Sequence, residues 1–576
     1  MVEAVLPDGV PPDPPTAPLL DRIRSGLIGD DAVLDGPFGP RRVVYADYTA
    51  SGRSLDFIER FVREQVLPRY ANTHTESSST GRATTRLREE ARRIIRDAVG
   101  GTDEHVVIFT GSGATGAVNK LVGILELRLP SGLADRVGLR TPLPAEARPV
   151  VFVGPYEHHS NELPWRESIA EVVVIPEDAD GHIDQAHLAA QLVRHARRPL
   201  LIGSFSAASN VTGVLSDADA IAELLHAHGA LSFWDYAAAG PYVPIRMRGT
   251  GGGSDAKDAI FLSPHKFPGG PQTPGVLVVR RDLVRNAVPT VPGGGTVLFV
   301  NPQGHRYLAD PVAREEGGTP AIVESVRAGL VFALKQAVGT DTIERLETRL
   351  WGEAVRRWAA NPDIDILGNP RARRLSIVSF RLRAPQPGRF LHHNFIVAAL
   401  SDLFGIQARG GCSCAGPYGH RLLGIDAERS HAFENEISLG CEGIKPGWTR
   451  INFNYFITDT VRDYLIEAVD LLARYGTRLL PLYRFEPATG LWSHRSPVPT
   501  RPLGLAEACF AAADPAASAP VEQPTAGEHV LAEQLSAARR LFGTLPAEPA
   551  PETAGLLHAE FEALRWFPLP ARCLEP

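Results

Sequence analysis

The chain has only five lysines that could supply a side-chain amine for chemistry: Lys120, Lys257, Lys266, Lys335 and Lys445. Lys120 and Lys335 lie inside helical patterns, and Lys257 and Lys445 lie in Gly-rich or Pro-containing turns. We expect these four to be surface residues. Lys266 differs, because in 258-DAIFLSPHKFPGG it follows an apolar strand-like run and precedes a glycine-rich turn. Ligand sites in α/β sheets lie at the carboxyl ends of strands, where a desolvated lysine can act as a Schiff-base nucleophile. The alternative is an ordinary loop lysine.

An acidic residue ends a second apolar run. Asp235 closes 231-LSFWD and precedes the small residues AAAG. A buried carboxylate costs free energy unless it is paired. The position therefore predicts either a cap for the following segment or the counter-ion of a buried cation, such as a protonated pyridine nitrogen.

Two further segments follow strand-like runs. The segment 106-VVIFTGSGATGAVNKLV is typical of a strand, a glycine-rich turn and a helix, an arrangement that can bind an anion through free backbone N–H groups. It lacks the GK[ST] sequence of a Walker loop. The segment 155-PYEHHSNELPW carries His158, which predicts either an imidazole stacked on a ring-shaped cofactor or a half-buried histidine bound by the protein itself.

Cysteines occur as a Cys-x-Cys pair in 409-RGGCSCAGPYGH, while Cys441, Cys509 and Cys573 are isolated. A structural zinc site usually has four ligands and Cys-x(2–4)-Cys spacing, and the sequence has no second pair. We therefore expect a nucleophile in this loop rather than a metal site, with a redox pair as the alternative, and no metal site in the chain.

Composition limits the class of protein. Of 576 residues, 44% are hydrophobic and 22% charged, which allows a large buried core. The net charge of −7 gives no sign of a nucleic-acid or membrane partner. No apolar run is long enough to span a bilayer, and five cysteines argue against a disulfide framework. We expect a cytoplasmic protein.

Strand-like and helical runs alternate from residue 41 to 338, which predicts an α/β domain with a mainly parallel sheet. Residues 339–485 are typical of a smaller α+β domain, preceded at 1–40 by an N-terminal arm. Residues 486–576 form an extension with Ala- and Pro-rich linkers (512–526 and 544–554) and two helices near 528–543 and 554–565. The strand candidates are 106-VVIFT, 149-PVVFVG, 200-LLIGSF, 231-LSFWDYA, 258-DAIFLS and 275-GVLVVR.

The order of these motifs resembles the class V aminotransferase family of enzymes that use pyridoxal 5′-phosphate (PLP), and most closely its cysteine desulfurase and selenocysteine lyase branch. The resemblance begins near Tyr45, in YADYTASG, and ends near Gly476. It implies the fold-type I architecture, in which a large domain with a mainly parallel seven-stranded sheet is joined to a smaller α+β domain. It also implies PLP as cofactor and a homodimer.

The resemblance further implies a role for individual residues around the cofactor. Lys266 matches the Schiff-base lysine, Asp235 the partner of the ring nitrogen, and His158 the histidine stacked on the ring. Asn210 in 209-SNVTG matches the residue beside the ring hydroxyl. The phosphate-binding positions correspond to Ala114, Thr115, Ser263 and His265, with Thr319 contributed by the neighbouring subunit.

On the substrate side, Arg450 matches the arginine that binds the substrate carboxylate, while Arg409 and His74 face the substrate. Cys414 matches the cysteine that takes sulfur from L-cysteine as a persulfide, leaving alanine, before sulfur passes to an acceptor protein. Three features depart from the family pattern. Ala238 replaces a glutamine, Cys414 and Arg450 are separated by an insertion, and residues 486–576 extend beyond the shared fold.

These departures keep other functions open. One alternative is a different class V reaction, such as transamination, epimerisation or C–S cleavage of a larger substrate. Another is a non-catalytic PLP-binding or sulfur-relay protein. The joint presence of Lys266, Asp235 and Arg450 favours an enzyme, because a binding protein has no need of an acid at the ring nitrogen.

Overall fold

The computed structural model describes residues 16–73, 75–136, 143–250, 252–496, 498, 524–547, 552 and 557–575. Seven strands form its largest sheet, as the resemblance implies. One strand, Gly275–Arg280, is antiparallel to both of its neighbours, and the other strand pairs of the sheet are parallel. In sheet order the strands are His105–Thr110, Gly275–Arg280, Ala259–Leu262, Leu231–Asp235, Leu201–Ser206, Val150–Val153 and Glu171–Val174.

Helices cover both faces of this sheet. Along the strand Val150–Val153, Val150 and Phe152 contribute to one hydrophobic core, while Val151 and Val153 contribute to another. Burial on both faces explains why these strands are continuous apolar runs in the sequence. The main helices of this part are Ser79–Ala98, Gly113–Ile124, His159–Arg166, Gln185–Arg194, Ala218–Ala227 and Ile322–Val338.

A four-stranded antiparallel sheet forms the centre of the smaller unit. In sheet order its strands are Ile364–Ile366, Ile377–Leu382, Trp448–Asn452 and Arg409–Gly411, packed with the helices Thr340–Trp358, His393–Phe404 and Asp459–Tyr475. The core of this unit also contains Val44, from a short strand paired with Ile406–Gln407, and Phe542 from the C-terminal extension. Distant parts of the chain therefore complete one core.

The C-terminal extension packs against this smaller unit. Its helices span Val530–Thr544 and Ala559–Leu564, close to the predicted ranges, whereas most of both predicted linkers lies outside the described residues. The predicted domain boundary at residue 486 falls at the end of a strand, Tyr483–Glu486, which pairs with Leu491–His494. Among the described residues, no helix combines the length and the apolar character that a membrane crossing requires.

Three lysines expected at the surface are buried, so that expectation was wrong. Lys120 donates to the hydroxyl of Thr290 at 2.6 Å and pairs with Glu315 at 3.2 Å. Lys257 pairs with a carboxylate of the neighbouring helix, and Lys335 donates to a backbone carbonyl. Each side chain reaches a partner far away in sequence, which a local pattern does not reveal.

Candidate active site

A cavity of about 230 Å³ lies at the carboxyl ends of the central strands. The loops that follow five of these strands line it, together with residues from the smaller unit. Eleven residues singled out in the sequence meet there: Ala114, Thr115, His158, Asn210, Asp235, Ser263, His265, Lys266, Arg409, Cys414 and Arg450.

Two other residues singled out in the sequence are not part of this group. Thr319 is exposed, does not line the cavity, and accepts a hydrogen bond from Asn72 at 3.2 Å. His74 lies outside the described residues. Thr319 therefore lies outside the cavity of its own chain.

Lys266 lies in a one-turn helix, Pro264–Lys266, directly after the strand Ala259–Leu262. Gly52 fixes this turn by donating its backbone N–H to the carbonyl of His265 at 2.8 Å. Burial lowers the pKa of the Lys266 amine to about 8, against an opposing effect of Asp235. A large fraction of this amine is therefore neutral near pH 8, the form that acts as nucleophile or base.

Asp235 is the last residue of its strand and is almost fully buried. Burial raises the pKa of its carboxyl group, while the backbone N–H of Ala237, at 2.7 Å, and the charge of Lys266 oppose that shift. The carboxylate is thus fixed in a dry part of the cavity, where a cation would be its natural partner.

His158 begins the helix His159–Arg166 as its N-cap, and its Nδ1 accepts from the backbone N–H of Ser160 at 3.1 Å. In the neutral ring, Nε2 therefore carries the proton. Burial, followed by the charge of Lys266, lowers the pKa of His158 to about 3. The ring is consequently neutral throughout the physiological pH range.

Backbone and hydroxyl donors surround the start of the helix Gly113–Ile124. The N–H of Ala114 donates to Ser263 Oγ at 2.8 Å, and the hydroxyl of Thr115 lies 2.6 Å from that of Ser160. Gly113 has a φ of +55°, and a Cβ there would lie 2.8 Å from both the ring of His265 and Ser263 Oγ. Only glycine fits without moving these side chains, and the donors form a cradle suited to an anion.

The two arginines of the site are joined by Asp47, a residue that the sequence reasoning missed. Its carboxylate accepts from Arg450 at 3.0 Å and from Arg409 at 2.9 Å. Arg450 also donates to the backbone carbonyl of Asn210 at 3.0 Å, and its Nε is buried without a hydrogen-bond partner in the described part of the chain. The motif YADYTASG contains Asp47, but its role depends on residues more than 350 positions away.

Glu157 is a second residue that the sequence reasoning missed. It is fully buried one position before His158 and accepts from the backbone N–H of Ser206 at 2.9 Å and the hydroxyl of Ser206 at 2.6 Å. Burial raises the pKa of Glu157 to about 7. Because Ser206 lines the cavity, Glu157 positions the cavity wall without touching the interior.

The cysteine loop is held in an uncommon conformation. Ser413 and Cys414 have φ values of +53° and +55°, which cost non-glycine residues about 1–3 kcal/mol each. Asn210 Nδ2 donates to the carbonyl of Ser413 at 2.8 Å, and the N–H of His159 donates to that of Cys414 at 2.9 Å. These bonds hold Cys414 at the cavity wall, whereas Cys412 does not line the cavity.

Comparisons with known proteins agree with this arrangement. The model of the family Aminotransferase class-V matches residues 44–426. Among curated sequences, the chain is 28% identical over 396 residues to a probable cysteine desulfurase from Staphylococcus aureus, covering 68% of this chain and 87% of that protein. A probable cysteine desulfurase from Halobacterium salinarum is 26% identical over 402 residues, covering 69% and 88% of the two chains.

Solved structures with the same fold include a cysteine desulfurase from Thermococcus onnurineus, in its apo form, with a TM-score of 0.60 at 23% identity, covering 75% of this chain and 94% of that one. The cysteine desulfurase CsdA from Escherichia coli gives a TM-score of 0.58 at 21% identity, and the match covers 78% of this chain and 97% of that one. The family match spans most of the described sheet and its cavity. The chain therefore belongs to the aminotransferase class V family and has the fold-type I architecture of these PLP-dependent enzymes.

Proposed function

We propose that this enzyme is a PLP-dependent cysteine desulfurase that takes sulfur from L-cysteine, or from a closely related C–S or C–Se substrate, as a persulfide on Cys414. The observation that carries the proposal is that Lys266 and Cys414 line the same cavity, with Asp235 and Arg450. An amine of lowered pKa, a thiol, a buried acid and a buried guanidinium are the groups that such a reaction needs.

The residues present fit PLP. Lys266 would hold the aldehyde carbon, Asp235 the ring nitrogen, and the cradle around Gly113 the phosphate. Asn210 Oδ1 is buried without a hydrogen-bond partner among the described residues, so it can accept from the ring hydroxyl. When bound, the cofactor supplies a cationic ring that withdraws electrons from the substrate Cα, and Asp235 would keep that ring protonated.

The protein's own groups would handle the substrate. Arg450 would bind the substrate carboxylate, since its buried Nε lacks a partner and its fork can bind two oxygens. The neutral amine of Lys266 would accept the proton from the substrate Cα. Neutral His158 would present a flat ring and its Nε2 proton inside the cavity.

The thiolate of Cys414 would attack the substrate sulfur. Overall, L-cysteine and the Cys414 thiol would become alanine and a Cys414 persulfide, with no outside oxidant or reductant. Cys414 is exposed and lines the same cavity as the cations Arg409 and Arg450.

The remaining parts of the proposal concern its surroundings. We infer a homodimer in which Thr319, exposed and away from its own cavity, reaches the partner's cofactor phosphate. The exposed Cys414 would pass sulfur to an acceptor protein. Cys412, Cys414, Cys441 and Cys573 are all free thiols, in keeping with a reducing cytoplasm.

A second function is favoured by one feature of the cavity. Ala238 lines it where related desulfurases carry a glutamine, which leaves room beside the ring. Another class V reaction, such as cleavage of a larger thioether or transamination, would use that room and would leave Cys414 without a role.

Mass spectrometry of the 409–421 peptide after exposure to L-cysteine separates these functions. We expect a persulfide on Cys414, lost together with sulfide release in Cys414→Ser and retained in the matched variant Cys412→Ser. A Cys414→Ser enzyme with full sulfide release would disprove the persulfide mechanism. Reaction with an amino donor in both variants, without sulfide, would identify a transaminase.

A further inference from the structure

Three side chains of types that bind metals meet beyond residue 426, where the family match ends. They are Glu436 and Cys441, in the insertion that follows the cysteine loop, and His558, in the C-terminal extension. Their ligand atoms all lie within 4.8 Å of one another. Neither segment takes part in the proposed reaction.

The end of one helix places the first two ligands side by side. The helix Ala427–Ser438 closes with Gly440 at a φ of +94°, and the N–H of Cys441 donates to the carbonyl of Glu436 at 3.0 Å. Gly440 N–H donates to Ile437 in the same turn, which completes a Schellman motif. The chain thus folds back, and a thiol five residues along the chain lies beside the carboxylate.

The third ligand comes from the helix Ala559–Leu564, which His558 precedes as its N-cap. Packing fixes this helix on the smaller unit, because Phe561 and Phe567 are buried in its core. Trp566 Nε1 also donates to the carbonyl of Ile444, three residues after Cys441, at 3.1 Å. His558 is therefore placed against Cys441 by contacts that do not depend on either side chain.

The distances fit tetrahedral coordination. Cys441 Sγ lies 3.4 Å from His558 Nε2, which lies 3.3 Å from Glu436 Oε2. With usual zinc–ligand lengths, a tetrahedral site requires about 3.5 Å between sulfur and nitrogen and about 3.3 Å between nitrogen and oxygen. The side chains would need little movement to enclose an ion.

A buried carboxylate oxygen without a hydrogen bond points to a ligand at this place. Glu436 is 4% exposed, and its Oε2 makes no hydrogen bond among the described residues, although His558 Nε2 lies at ion-pair distance, 3.3 Å away. His558 Nδ1 accepts from the N–H of Phe561 at 3.5 Å and also lies 3.5 Å from Glu560 Oε2. Metal binding at Nε2 would require the ring proton on Nδ1, which would then donate to Glu560 instead of accepting from Phe561, the usual arrangement around a metal-bound histidine.

We propose that Glu436, Cys441 and His558 bind one Zn²⁺ ion, with water as the fourth ligand. A thiolate, an imidazole and a carboxylate form a ligand set that zinc favours and that magnesium and calcium do not. The ion would join the C-terminal extension to the insertion that follows the cysteine loop.

Metal analysis and Co²⁺ titration of the full-length protein test this site, with Co²⁺ as the spectroscopic probe. We expect about one zinc per purified chain. We also expect thiolate-to-cobalt absorption that disappears in Cys441→Ser, and Co²⁺ binding weaker by roughly tenfold or more in His558→Ala. His431→Ala is the matched control, because His431 lies on the same helix, is exposed and pairs only loosely with Glu434 at 3.5 Å. It should bind as the wild type does.

A chelator provides a second measurement that does not depend on the variants folding. It should lower the melting temperature of the wild type and speed proteolysis of residues 557–575. No stoichiometric metal in the wild type, or the same cobalt absorption in Cys441→Ser, would overturn the proposal. Neither readout involves activity, so the result is independent of the proposed desulfurase reaction.

Discussion

Arg409 and Arg450 face each other directly on neighbouring antiparallel strands, and the single carboxylate of Asp47 binds both guanidinium groups. Arg450 is 4% exposed, whereas half of the Arg409 side chain is accessible. Arg409, Arg450 and Asp47 together carry a net formal charge of +1, so they attract an anion. Asp47 also keeps the buried Arg450 oriented. This arrangement makes Arg450 the inner and Arg409 the outer cation of the cavity.

The first prediction concerns this pair. Arg450→Lys keeps the charge but loses the planar fork that lets one side chain reach Asp47, the carbonyl of Asn210 and a substrate carboxylate in fixed directions. We expect KM for L-cysteine to rise by roughly tenfold or more, with a smaller change in kcat. Sulfide-release kinetics measure both, and Arg373→Lys, an exposed arginine paired with Glu344, serves as control. An unchanged KM would mean that the carboxylate binds elsewhere.

The second prediction concerns Lys266. Because its pKa is lowered to about 8, the neutral amine should form at a lower pH than in an ordinary lysine. The rate at which cofactor-free protein takes up PLP should therefore rise with pH and level off above about pH 8, followed by absorbance in a stopped-flow instrument. Borohydride should fix the cofactor to Lys266 in the wild type and in Lys445→Arg, but not in Lys266→Arg. Fixation elsewhere in the chain would refute the assignment.

The third prediction concerns the anion cradle. Gly113→Ala places a methyl group 2.8 Å from both Ser263 Oγ and the His265 ring, on a backbone at positive φ. We expect PLP affinity to fall by roughly tenfold or more, since the donors must move apart. Fluorescence titration of the cofactor-free protein measures this. Gly132→Ala, in open space on a surface helix, should bind PLP normally; equal affinity in the two variants would exclude the cradle as the phosphate site.

The fourth prediction concerns stability. Glu347 is fully buried, and burial raises its pKa to about 8. Between about pH 4.3 and 8 the folded protein keeps a proton on Glu347 that the unfolded chain, whose glutamate pKa is about 4.3, has released. The contribution of Glu347 to the free energy of unfolding is therefore fully present below about pH 4.3 and is lost as the pH rises to about 8. The loss is on the order of 3–5 kcal/mol.

Glu347→Gln should remove this dependence and flatten the fall in melting temperature between about pH 5 and 8 by several degrees. Calorimetric scans at both pH values measure it. Glu344→Gln, an exposed glutamate on the same helix, should leave the wild-type slope unchanged. If both variants keep the full wild-type fall in melting temperature with pH, a buried group other than Glu347 causes that fall.

The sequence alone predicted a large part of the fold. Six of the seven strands in the main sheet were predicted, because strands buried on both faces are continuous apolar runs. The strand Glu171–Val174 was missed, since it lies at the edge of the sheet and is half-exposed. The reversed direction of Gly275–Arg280 was not predicted either, because an apolar run carries no sign of its orientation.

Three of the residues that meet in the cavity were predicted for a related reason, whereas others, such as Asn210 and Arg450, came from the family resemblance. Lys266 and His158 each follow a strand and Asp235 ends one, and the carboxyl ends of parallel strands meet at one edge of a sheet. Local sequence therefore determined which polar residues would gather there.

Only the tertiary structure decided how charges are paired. Asp47 joins two arginines more than 350 residues away, Lys120 reaches Glu315, and Cys441 lies against His558. Removing a charged or polar group from water costs free energy, which a nearby partner offsets, and that depends on distance in space rather than along the chain. The sequence placed each group on its element, and the packing of the elements selected its partner.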